Sequence, residues 1–176
     1  MMRGTRDGLI GNVGEPTYKG IYAAVSAVGL ILVVVGYGAY RQTGQIPIWT
    51  PPAFDRHITF LLMLIAFIFL AATNGRSHIR QKIKHPMLTG VKTWALAHLL
   101  VRGDLGSMLL FGSFLAWAVL ARISLKRREP AGPLFTPNWT SDVVTVLIGV
   151  AAYLAFLFGL HQWLIGVPLL PASMAS

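Results

Sequence analysis

Residues 21–40 run without one charged side chain and are rich in Val, Leu and Gly. At 1.5 Å per residue, a helix of this length reaches about 30 Å, the thickness of a bilayer's hydrocarbon core. Further apolar runs follow at about 58–73, 87–101, 105–123 and 142–160. These runs predict an all-α fold, a polytopic transmembrane helical bundle of about five spans. Residues 1–20 read as a soluble arm, 21–170 as the membrane domain and 171–176 as a short tail. The arm is polar and Gly-rich, with no cleavage-like sequence after a short apolar region, so the first span is expected to anchor the chain.

Composition narrows the function classes. The chain is 55% hydrophobic and only 12% charged, with a mean hydropathy of +0.62. Its net charge of +9 falls in loops between apolar runs rather than on a folded polar surface, so the expected partner is the lipid bilayer and not nucleic acid. The absence of cysteine excludes disulfides, iron–sulfur clusters and covalently attached c-type haem. The loop IPIWTPPAF, with three prolines and Trp49, reads as a non-helical interfacial anchor.

Loop charges set the expected orientation. If five spans alternate, one side receives Arg3, Arg6, Lys19, Arg76, Arg80, Lys82, Lys84, Arg122, Lys126, Arg127 and Arg128. The other receives Arg41, Arg56 and Arg102. This asymmetry predicts a cytoplasmic N-terminus in a multi-pass membrane protein. Packing is expected through small residues spaced four apart, Ala151, Ala155 and Gly159 on span five and Gly112 with Ala116 on span four.

Residues 85–104 read HPMLTGVKTWALAHLLVRGD. Pro86 marks a helix start, because its missing N–H has no partner to lose there. Arg102-Gly103-Asp104 is a tight link to the next span, with Asp104 placed to accept from that helix's first N–H groups. Ionisable groups inside an apolar span are costly, which makes Lys92 and His98 functional candidates. Lys92 either snorkels to the headgroups or pairs with an anion.

Topology sorts the histidines by depth. His98, His161 and His57 fall near the outer face, and His78 and His85 near the cytoplasmic one. The bland readings are a solvated His78, a helix-start His85, interfacial His57 and His161, and Phe111, Phe114 and Trp117 as packing.

The segments His85-Pro86-Met87-Leu88, Trp94-Ala95-Leu96-Ala97-His98-Leu99-Leu100 and Gly103-Asp104-Leu105 resemble the signature of the NnrU family of membrane proteins. The likeness extends over LFGSFLAWAVL, over GEPTYKGIYAAVS (14–26) and over HQWLIGVPLLP (161–171). That family takes its name from bacterial denitrification and is similar to the plant 15-cis-zeta-carotene isomerase, a haem b protein. The resemblance therefore implies haem b held by histidines of the bundle. His85 and His98 are 13 residues apart on one helix, so their backbones differ by about 20 Å in height and cannot share one iron. His98 with His161 is the favoured ligand pair, with His57 in reserve, and Lys92 is a candidate partner for a haem propionate.

Two departures accompany the likeness. The family's usual leading helix, which carries a His that is a plausible haem ligand in the isomerases, is not seen before Gly14. The isomerases' paired His after the LAH segment is replaced by Phe114-Leu115 and Ala116-Trp117.

Three function classes follow. The first is a haem b membrane protein in a redox, nitric oxide/denitrification-related or isomerase-like role. The second is a non-enzymatic accessory or assembly subunit of a membrane respiratory complex. The third is a membrane methyltransferase, since HPML also resembles the RHPxY segment of such enzymes, though their acidic C-terminal segment is not found here.

Overall fold

In the computed structural model, residues 3–127 and 135–170 are described. The 171–176 tail and residues 128–134 of the proline-bearing loop lie outside them. Every regular element among the described residues is helical: α1 (Arg3–Val13), α2 (Glu15–Gln42), α3 (Asp55–Ala71), α4 (His78–Ile83), α5 (Pro86–Val101), α6 (Leu105–Lys126), α7 (Trp139–Ala155), a π-helical turn (Phe156–Leu160) and α8 (His161–Ile165). Three helical stretches are long and apolar enough to cross a membrane: α2, α6 and the run Trp139–Ile165. Helices α3 and α5, with 17 and 16 residues, reach about 25 Å, a little short of the hydrocarbon thickness.

The chain divides into two units, residues 1–47 and 48–176. In the first, the arm is not merely polar coil. Its residues form α1, and α2 begins at Glu15, well before the expected residue 21. Gly14 separates the two helices with φ +83°, a left-handed backbone that favours glycine. Pro16 then starts α2 without losing a helical hydrogen bond. No residue of α2 is buried. At its far end the Tyr40 hydroxyl accepts from the Ile46 N–H at 3.0 Å and fixes the chain's exit.

In the second unit, α3 packs against both α5 and α7, and α5 also packs against α6. The order across the bundle is therefore α7, α3, α5, α6. Its interior is small and polar: Ala66, Ala95, Ala97 and Ala118 are buried beside Thr59, Ser107 and Thr145. Large apolar side chains such as Leu109, Leu120, Leu147 and Phe158 face outward. Lipid removes the hydrophobic drive between helices, so close backbone approach through small residues takes its place.

The approach is made at other small residues than the sequence suggests. Ala151, Ala155 and Ala116 are exposed, and a methyl group at Gly112 or Gly159 would meet open space. The tight crossing of α7 on α3 is at Gly149, where an added Cβ would lie 2.7 Å from the Ile68 Cα. Asp142, Thr145 and Gly149 form the buried stripe of α7, at spacings of three and four. Gly90 does the same for α5, with Leu70 and the Ala66 carbonyl 2.9 and 3.2 Å from its would-be Cβ.

Short polar devices fix the helix starts. The Asp104 carboxylate accepts from the Ser107 N–H at 2.9 Å, as expected for a cap worth about 1 kcal/mol. Asn138 and Ser77 cap α7 and α4 in the same way. The Pro-rich loop is non-helical, and it folds over the α5–α6 turn. The Ile48 and Trp49 N–H groups both donate to the Gly103 carbonyl, at 2.7 and 3.1 Å.

Candidate functional site

The site is built at the end of the bundle where α3 begins and α5 ends. Thr59, near the start of α3, donates its hydroxyl to the Ala97 carbonyl at 3.0 Å. One turn earlier the Arg56 guanidinium donates to the Leu169 carbonyl, beyond α8. These two bonds draw the last turn of α5 and the segment after α8 to one level.

His98 sits on α5 between the buried Ala97 and Leu99. Its Nδ1 donates to the Trp94 carbonyl at 2.9 Å, one turn back. The ring stacks on the buried Phe111 of α6, with centroids 4.5 Å apart and planes at 25°, and leans on Trp94 at 5.1 Å. Trp94 is in turn held edge-on by Phe111 and Phe114. Phe111 and Phe114 thus pack, as the sequence suggests, and what they pack is the histidine. Trp117 is exposed.

His161 follows the π-helical turn 156–160, a local rewinding that often accompanies functional sites. Gly166, at φ +76°, ends α8 and turns the chain back. The Val167 carbonyl thereby comes to His161 and accepts from its Nδ1 at 2.8 Å. Both imidazoles spend Nδ1–H on a backbone carbonyl. In the neutral ring, this leaves the Nε2 lone pair as the ligating atom, the arrangement of most metal-bound histidines. Arg102 follows His98 by one turn, at the C-terminal end of α5.

The other candidates lie elsewhere. His57 is exposed on the first turn of α3, and its ring makes no hydrogen bond among the described residues. His85 is at the far end of α5, in the N-cap position, where its carbonyl accepts from Thr89. Lys92 is half-buried on α5. Six residues from His98, it points about 120° round the helix from it. Among the described residues no group of three or more His, Asp or Glu side chains could hold a metal ion by itself.

The opposite end holds a cluster that the sequence reading missed. His78 is not simply solvated. Its Nδ1 is 2.5 Å from the Asp142 Oδ2, and its ring is tilted against Trp139 at 4.6 Å. Asp142 also accepts from the Ile79 N–H, at 3.3 Å. The signal available was the lone acid in the first turn of an apolar helix, which needs a partner once buried.

With this geometry in place, a family model described as NnrU protein matches residues 1–169. The chain belongs to the NnrU family. Neither the curated proteins nor the solved structures give a match. The central stretches of the NnrU likeness run along α5 and into α6. HPML opens α5, Trp94 and His98 lean on Phe111, and Gly103-Asp104 form the α5–α6 turn.

Proposed function

We propose that this NnrU family chain is a haem b-binding protein of the bacterial inner membrane, in which His98 and His161 would hold the haem. The observation that carries the reading is their common state. Each is pinned through Nδ1 to a backbone carbonyl, and the Thr59–Ala97 and Arg56–Leu169 hydrogen bonds tie the end of α5 and the segment after α8 to the start of α3. The donor chemistry fits the group, since neutral imidazole ligates b-type haem iron. A haem held by both histidines would supply one-electron chemistry. The chain's own part is to fix tautomer and ring orientation, to exclude water through Trp94, Phe111 and Phe114, and to place cationic Arg102 nearby. The test is the absorption spectrum of the detergent-purified protein. A Soret band that follows the protein through size exclusion is expected. Pigment-free protein in haem-replete cells would end the reading.

In this proposal α2, α3, α5, α6 and the α7–α8 run are the five spans, with the N-terminus in the cytoplasm. Eleven loop cations against three support that orientation. Helices α3 and α5 lie side by side in the middle of the row, where neighbouring helices offset their shortness. An alkaline phosphatase fused after Ser176 should be active, and one fused at Ala131 inactive. The reverse pattern overturns the topology.

The second reading is an accessory or assembly subunit of a membrane respiratory complex. Helix α2 favours it, since its 28 residues offer a long apolar surface. Co-purification with an oxidoreductase, without bound pigment, would put this reading first.

A further inference from the structure

At the end of the bundle away from His98, α4 bridges α5 and α7, which α3 otherwise separates. Its attachment is rigid. The Arg76 N–H donates to the Ser141 hydroxyl at 3.0 Å, and the Asn138 N–H donates to the Arg76 carbonyl at 2.9 Å. The fully buried Ser77 caps α4 through the Arg80 N–H. Arg80 itself is occupied, donating to the Gly75 carbonyl at 2.7 Å with its guanidinium over the Phe135 ring.

On this fixed platform Arg76 and Lys82 are exposed, and neither has an acidic partner among the described residues. The nearby carboxylate, Asp142, is buried and already taken by His78 and the Ile79 N–H. Trp139, tilted against the His78 ring and 76% exposed, stands at the same level. An exposed indole beside basic side chains at a helix end marks the headgroup zone of a bilayer. A lipid phosphate in that zone carries the complementary charge.

We propose that Arg76 and Lys82, held by the α4–α7 junction with Trp139 at their side, form a docking site for the headgroup of an anionic phospholipid. The lipid phosphodiester supplies the anion, and Trp139 packs against the acyl-chain boundary of the same lipid. The His78–Asp142 pair serves this site by keeping the carboxylate away from the two cations. The inference is independent of the haem reading and needs only that this end of the bundle meets a leaflet.

The experiment adds phosphatidylglycerol, phosphatidylcholine or inorganic phosphate to the full chain in neutral detergent. Retained lipid is counted by native mass spectrometry. The wild type should retain phosphatidylglycerol over phosphatidylcholine, salt should weaken that retention, and inorganic phosphate should not compete at equal concentration. R76Q/K82Q should weaken phosphatidylglycerol retention on the order of ten-fold. R76K/K82R should restore it. K126Q/R127Q, which removes two exposed cations from the end of α6, should leave it unchanged. Equal loss in both charge-removing variants means a diffuse basic face and overturns the site. So does unchanged retention in R76Q/K82Q, no preference over phosphatidylcholine, or full competition by phosphate. Melting in phosphatidylcholine-doped detergent checks that R76Q/K82Q still folds, and R76K/K82R keeps the test open if it does not.

Discussion

Gly103→Ala should destabilise the detergent-solubilised protein by on the order of 3 kcal/mol. The backbone at Gly103 is not left-handed, so conformational freedom is not the reason for glycine here. Space is the reason. A methyl group would overlap the Trp49 carbonyl oxygen and lie 2.9 Å from the Trp49 carbonyl carbon and 3.1 Å from the Pro51 Cδ. These are backbone and ring atoms, which cannot swing aside as the tip of a long side chain can. Relief requires the 48–52 segment to lift, and lifting breaks the Ile48 and Trp49 hydrogen bonds to the Gly103 carbonyl. Each such bond contributes about 1 kcal/mol, and the forced overlap adds the remainder. Gly112→Ala is the matched control, since a Cβ there meets nothing within 4 Å. Thermal melts that move equally for the two variants would show that the Trp49 loop does not clamp the turn.

That contrast also shows what the sequence could reveal of the fold. Asp104 as a cap was legible because its partner, the Ser107 N–H, is three residues away and helix starts have fixed needs. The Gly103 clamp was not legible. Its partner loop lies more than fifty residues upstream, and nothing local says where that loop lands. The five apolar runs each correspond to a helical stretch, and three of those stretches among the described residues are long and apolar enough to cross a membrane. The packing glycines were misread because three- and four-residue spacings occur on every face of a helix. Only the placement of α3 selects Gly149 over Ala151 and Gly159. Helix α1 escaped notice because its glycines lower helix propensity, whereas the structure continues helix up to Gly14.

At the candidate site, the rise per residue was informative where side-chain chemistry was not. Counting turns sets His85 apart from His98, and the two stand at opposite ends of α5. It could not reveal that His161 follows a π-helical turn, nor that Gly166 brings the Val167 carbonyl back to its ring. The His78–Asp142 pair was hidden for a different reason. Each partner has an innocent local role, one in a basic segment and one at a helix start, and only α4 lying across α7 joins them.

His98→Ala and His161→Ala should each abolish the haem spectrum of the purified protein, whereas His78→Ala should leave it intact. The two ligand positions are expected to be all-or-none. Each ring is held by a single carbonyl, and that of His98 is stacked on the apolar Phe111, which offers the iron no substitute. Alanine removes the imidazole and leaves no second imidazole within its turn. His78 serves as the control because it is a histidine at the other end of the bundle, engaged with Asp142. Folding is checked independently by the thermal melt, where both alanine variants should lose far less than Gly103→Ala, since neither histidine is fully buried. His57→Ala decides between ligand sets. Exposed at the start of α3, with no ring hydrogen bond among the described residues, it should leave the band unchanged. If the band disappears with His57→Ala and persists with His161→Ala, the second ligand comes from α3, and the π-turn has no part in holding haem. If it persists through both His98→Ala and His161→Ala, the pair is not the haem site.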